Sequence, residues 1–175
     1  MDLSGKKVLI FAGPMYEDRE LFYPYYRFLE AQAKVTVAGI GEKKYTGKYG
    51  VPIEVDAQSK DLTGDKWDIV VVPGGFAPDK IRADQSACKI VSETLKGGRI
   101  VAAICHGPWV LVDAEVCKGR KLTSYANIKL DLINAGATWV DEEVVVDRGL
   151  ITSRTPADLP AFCAAIIKEA QLSPV

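Results

Sequence analysis

Three short apolar runs constrain this chain more than any other feature: Val8 to Ala12 (VLIFA), Ile69 to Val72 (IVVV) and Arg99 to Ile104 (RIVAAI). None alternates with polar residues, the pattern of a strand covered on both faces. Gly13-Pro14 stops the first and Pro73-Gly74-Gly75 the second, while Cys105-His106-Gly107-Pro108 follows the third. Lys34 to Gly39 (KVTVAG) adds another strand. Between the runs lie segments of helical spacing. Glu17 to Ala33 opens with acids and is interrupted by Pro24, which predicts a bend or a later start. Ala83 to Leu95 is amphipathic and closed by Gly97-Gly98, and Ile128 to Ala135 also reads as helical. Strands alternating with helices give an α/β fold, a mostly parallel sheet with helices on both faces.

The remaining segments fit that frame. The turn-rich stretch Thr46 to Pro52 predicts a small β excursion ending in Ile53 to Val55, and Glu143 to Ile151 reads as two strands around an Asp-Arg-Gly turn. A last helix is expected from Thr155-Pro156-Ala157-Asp158, with Thr155 as cap. No linker or repeat divides the chain, so residues 1–175 form one domain.

Composition narrows the partners. Lys+Arg number 22 and Asp+Glu 23, for a net charge of -1. That balance lacks the basic footprint of a nucleic-acid or anionic-membrane binder. No apolar run is long enough to span a bilayer, and the N-terminus lacks the pattern of a secretory signal, so a cytoplasmic protein is expected. Four cysteines without a C-x-x-C pair, with one histidine, give no recognisable metal-ligand set. No cofactor is expected.

In an open α/β sheet, ligands bind beyond the carboxyl ends of the strands. Cys105 stands there, at a strand-to-helix turn that has the geometry of a nucleophile elbow. The following helix N-terminus is expected to lower its pKa. His106, the single histidine, is a candidate acid or base. Gly74, Gly75 and the His106 N–H are candidate oxyanion donors. Glu17 and Asp79 are candidate acids, and Trp109 and Arg154 candidate pocket residues. The aromatic group Phe22, Tyr23, Tyr25, Tyr26 and Phe28 reads as helix packing or a subunit contact. Cys88, Cys117 and Cys163 read as ordinary buried cysteines.

The string Ala103 to Pro108 (AICHGP) resembles the nucleophile motif of the PfpI-type intracellular proteases. Their superfamily is class I glutamine amidotransferase-like and includes the Parkinson-disease-associated deglycase. Tyr16-Glu17-Asp18, Tyr23-Pro24, Val72-Pro73-Gly74-Gly75, Thr123-Ser124-Tyr125, Ile133 to Ala137, Ser153-Arg154 and Pro156 to Leu159 extend the resemblance over nearly the whole chain. It implies a flavodoxin-like three-layer sandwich in which Cys105 is the nucleophile and Glu17 hydrogen-bonds to its sulfur. It also implies that His106 assists catalysis, with an acid at the Asp79 position lent by a neighbouring subunit. The protease branch carries glutamate there, one methylene longer. Homodimers are implied, and hexamers in some members.

Three functions follow from the resemblance. The first is stress-protective chemistry by Cys105 on small α-oxoaldehydes or glycated protein side chains, of the glutathione-independent glyoxalase or deglycase type. The second is a cysteine peptidase active as an oligomer. The third is a redox-sensing or chaperone-like stress protein.

Overall fold

A computed structural model describes residues 2–172. The chain runs β1 (Lys7–Phe11), α1 (Asp18–Glu30), β2 (Lys34–Gly39), β3 (Lys44–Thr46), β4 (Pro52–Glu54), β5 (Ala57–Gln58), β6 (Ile69–Val72), α2 (Ala77–Ile81), α3 (Gln85–Lys96), β7 (Ile100–Ile104), α4 (Pro108–Asp113), β8 (Lys121–Leu122), α5 (Lys129–Asn134), β9 (Thr138–Trp139), β10 (Val144–Asp147), β11 (Leu150–Ser153) and α6 (Leu159–Leu172).

Seven strands form the central sheet in the order β10-β11-β7-β6-β1-β2-β5. Only the β10–β11 pair is antiparallel. The three apolar runs supply its middle, where β6 and β7 are buried along their whole length. Burial on both faces explains why their side chains do not alternate. Helices α1 and α6 pack against each other, and α2, α3, α4 and α5 form a second connected set. The result is the expected flavodoxin-like α/β arrangement, a mostly parallel sheet with helices around it.

The register decides what meets at the carboxyl ends. Ile10 pairs with Val71, and Val71 with Ala102. Pro73-Gly74-Gly75 therefore emerges beside Cys105. From β1 the chain crosses to β2 on one side, and from β6 to β7 on the other. This topological switch opens a crevice above β1 and β6.

Three local expectations change. Helix α1 is continuous through the buried Pro24. The missing N–H leaves only the Glu20 carbonyl without its helical donor, and packing of α1 on β2 and α6 holds the rest. Helix α3 begins at Gln85, because the Asp84 side chain accepts the Ala87 N–H and caps it. Thr155 makes no capping bond. Residues Pro156–Asp158 form a 3-10 turn before α6, and Asp158 turns back to the Arg154 N–H. The hairpin β3–β4 and the turn at Arg148-Gly149, both at positive φ, match the sequence reading.

Candidate active site

Cys105 follows β7 directly and holds φ 62°, in the left-handed region that side chains avoid. Its N–H bonds to the Ser153 carbonyl and its own carbonyl accepts from Tyr125, so both neighbours fix the strained turn. Cys105 is only 8% exposed. Its sulfur receives the backbone N–H groups of Gly75 and His106. Neither of these N–H groups has a backbone acceptor among the described residues, so both are free to turn to a developing oxyanion.

Glu17 does not serve the sulfur. It is the N-cap of α1, its Oε1 accepting from Arg19 at 2.7 and 2.5 Å and its Oε2 from the Glu20 N–H at 3.0 Å. Glu20, one helical turn on, takes the place beside Cys105. A helical side chain leans toward its helix N-terminus, and that tilt carries Glu20 back over the strand ends. Its Oε2 accepts the Gly74 N–H at 2.7 Å. Its Oε1 is buried without a nitrogen or oxygen partner, and the carboxyl interacts with the Cys105 sulfur. The Gly74 N–H is thereby occupied, leaving those of Gly75 and His106 as the candidate oxyanion donors.

The electrostatics follow from burial. Desolvation, reinforced by Glu17, pushes the Glu20 carboxyl up to about 8. The Cys105 thiol is pushed up to about 12 by burial and by a charged Glu20, against the two N–H groups that favour thiolate. The depressed thiol pKa expected from the helix start is absent, because burial outweighs the N–H groups there. A protonated Glu20 removes the repulsion, whereas the contact with the Cys105 thiol favours the Glu20 carboxylate. The two groups are coupled, since charge on Glu20 raises the Cys105 pKa.

His106 lies with Nδ1 3.3 Å from Sγ. Its ring stacks on Tyr125 at 4.9 Å and meets the Trp109 edge at 5.2 Å. Burial, aided by Lys48, lowers its pKa, so the imidazole is neutral at pH 7.

These groups face a cavity of about 550 Å³. Trp109 lines it, its Nε1 donating to Asp131 at 2.7 Å and Arg82 stacked on its face. Asp79 reaches the rim, exposed and paired with Lys80 at 3.1 Å. Arg154 does not line the cavity: Asp158 and Asp141 hold its guanidinium, and the next residues, Thr155 and Pro156, reach the wall instead. Glu20, Lys48 and Tyr125 are the site residues that sequence reading missed. For Glu20 the available signal was its position three residues after a capping acid.

The chain is similar to known proteins over most of its length. Residues 6–169 match the model of the DJ-1/PfpI family. A deglycase of Pyrococcus abyssi is 43% identical over 162 residues, covering 93% of this chain and 98% of its own. General stress protein 18 of Bacillus subtilis is 41% identical over 161 residues, 90% of this chain and 94% of its own. The crystal structure of Drosophila melanogaster DJ-1beta superposes with a TM-score of 0.88 at 32% identity, over 97% of this chain and 91% of that one. The match over residues 6–169, with relatives more than 40% identical over nine tenths of the chain, makes this protein a member of the DJ-1/PfpI family.

Proposed function

We propose that this protein is a cysteine-dependent enzyme of the glutathione-independent glyoxalase or deglycase type, acting on small α-oxoaldehydes or their early adducts with protein side chains. Relatives named deglycase at 42–43% identity support a deglycase or protease-type activity. The observation that carries the finer reading is the Cys105–Glu20 pair at the floor of a cavity large enough for a short carbonyl compound.

The thiolate adds to the aldehyde carbon, forming a C–S bond, and the oxygen takes up the charge opposite the Gly75 and His106 N–H groups. Glu20 supplies the proton that completes the hemithioacetal. The carboxylate so formed, or the neutral His106, removes the proton from the former aldehyde carbon and returns one to the adjacent carbon. A thioester of the 2-hydroxy acid results, and water releases it from Cys105. For methylglyoxal the product is lactate, with no redox partner needed.

The test is lactate formation from methylglyoxal by purified protein without glutathione. Cys105→Ala is expected to abolish it. Full activity in that variant, or none in the wild type, overturns the reading.

A peptidase reading keeps Cys105 and draws Asp79 from another subunit to His106. Within one subunit Asp79 is exposed and bound to Lys80, so that role requires self-association. The exposed Tyr23 and Tyr26 on α1 offer a face for a homodimer. Casein cleavage that vanishes in Asp79→Asn, with methylglyoxal turnover retained, favours the peptidase.

A further inference from the structure

The charges around the cavity mouth do not cancel. Arg19 is neutralised by Glu17, and Asp79 by Lys80. Glu20, with its raised pKa, holds its proton at pH 7. Lys48 remains. Its side chain lines the cavity, and among the described residues its Nζ meets no carboxylate, only the face of Tyr49 at 5.1 Å. Its positive charge is felt by Glu20, Cys105 and His106 together.

The position of Lys48 is fixed rather than accidental. It sits in the tip of the β3–β4 hairpin, where its N–H donates to the Tyr16 carbonyl at 2.9 Å. The buried Asp18 carboxylate accepts the Tyr49 N–H at 2.9 Å and the Val51 N–H at 3.0 Å, and the Tyr16 hydroxyl donates to the Val51 carbonyl. Gly47 packs against that carboxylate so closely that a Cβ would collide with it. Tyr16 also bridges to Gly75, an oxyanion donor. The hairpin tip is thus clamped to the same segment that builds the site. Three backbone N–H anchors hold the loop that brings an unpaired ammonium to the wall of the cavity that also holds Cys105, a construction suited to anion recognition.

We propose that the site selects carbonyl substrates bearing an anionic group a few bonds from the aldehyde, such as a carboxylate, and that the Lys48 ammonium recognises that charge. This rests on the glyoxalase or deglycase reading of Cys105. The natural class is an α-oxoaldehyde with a distal carboxylate. With 4,5-dioxopentanoate as the probe, the same isomerisation and addition of water yield 2-hydroxyglutarate and one proton, with no oxidant or reductant.

The decisive experiment separates charge recognition from thiol reactivity. Cys105 is alkylated with iodoacetate and, in parallel, with iodoacetamide, and mass spectrometry follows the S–C bond formed as iodide leaves. Both reagents report the same thiolate, so their rate ratio isolates the effect of the reagent's charge. Lys48→Gln is expected to lower the iodoacetate-to-iodoacetamide ratio about tenfold, and Lys48→Arg to restore most of it. The ratio of kcat/KM for 4,5-dioxopentanoate over methylglyoxal is expected to fall in parallel. An alkylation ratio within about twofold of wild type in Lys48→Gln overturns the proposal. If the alkylation ratio falls but the wild type consumes neither aldehyde, charge recognition by Lys48 stands and the proposed reaction is what fails.

Discussion

The Glu20 carboxylate accepts the Gly74 N–H at 2.7 Å, joining the first turn of α1 to the diglycine that follows β6, where Gly74 also packs against Cys105. One hydrogen bond therefore ties together the carboxyl, the diglycine loop and the candidate nucleophile. The bond favours the Glu20 carboxylate, but burial outweighs it and sets the direction of the site's pH response.

Glu20 and Glu17 are separable by mutation. The folded-state pKa of Glu20 is raised to about 8 from 4.5, so between those values the native state binds more protons than the unfolded chain. Stability linked to this group is intact below about pH 4.5 and declines as pH rises toward 8. Glu20→Gln is expected to remove that slope and to gain on the order of 3 kcal/mol relative to wild type near pH 9, read by urea unfolding across pH. Its turnover falls at least 100-fold for want of a transferable proton. Glu17→Gln is expected to cost about 1 kcal/mol through the weakened cap of α1, with a milder effect on turnover.

Gly74→Ala is expected to damage both stability and chemistry. The added Cβ would press on Glu20 Oε2 and lie 2.7 Å from the Cys105 Cβ. The Cys105 Cβ is not free to retreat, since Cys105 is bound on both sides by backbone. A loss of about 2–3 kcal/mol is expected, with alkylation of Cys105 slowed more than the stability change implies. Wild-type thermal stability in this variant would show that the loop yields easily.

Asp18→Ala is expected to loosen the hairpin tip. The buried carboxylate serves two N–H groups, and its loss costs about 2 kcal/mol. Hydrogen exchange at Tyr49 and Val51 is expected to accelerate far more than at β6 or β7. Uniform acceleration across the sheet would instead place Asp18 in the global folding unit.

Tyr125→Ala removes the ring that stacks on His106. The imidazole then gains solvent, and its pKa is expected to rise toward the ordinary 6.5. Chemical-shift titration of the single histidine reads this directly. An unmoved titration would mean that Trp109 and the backbone alone keep the ring dry.

Much of the fold was legible because burial on both faces leaves a simple mark. VLIFA, IVVV and RIVAAI became β1, β6 and β7, and the residue after the third run became the strained elbow. The two-residue strands β5, β8 and β9 left no such mark, since their pairing comes from neighbours rather than from a pattern of their own. Arg154 looked like a pocket residue by its place after β11, yet Asp141 and Asp158 claim it.

The sequence by itself determined the parallel sheet, the place of Cys105 at a strand end and the glycines beside it, because those depend on hydrophobic runs and on chain direction. The choice between two glutamates three residues apart belonged to the tertiary structure. Only the start of α1 at Asp18 made Glu17 a cap and swung Glu20 over the thiol. Lys48 likewise acquired its place through Asp18 and Tyr16, contacts between separate parts of the sequence. Periodicity records which side of an element is buried, whereas the direction of a single charged side chain is set by partners far along the chain.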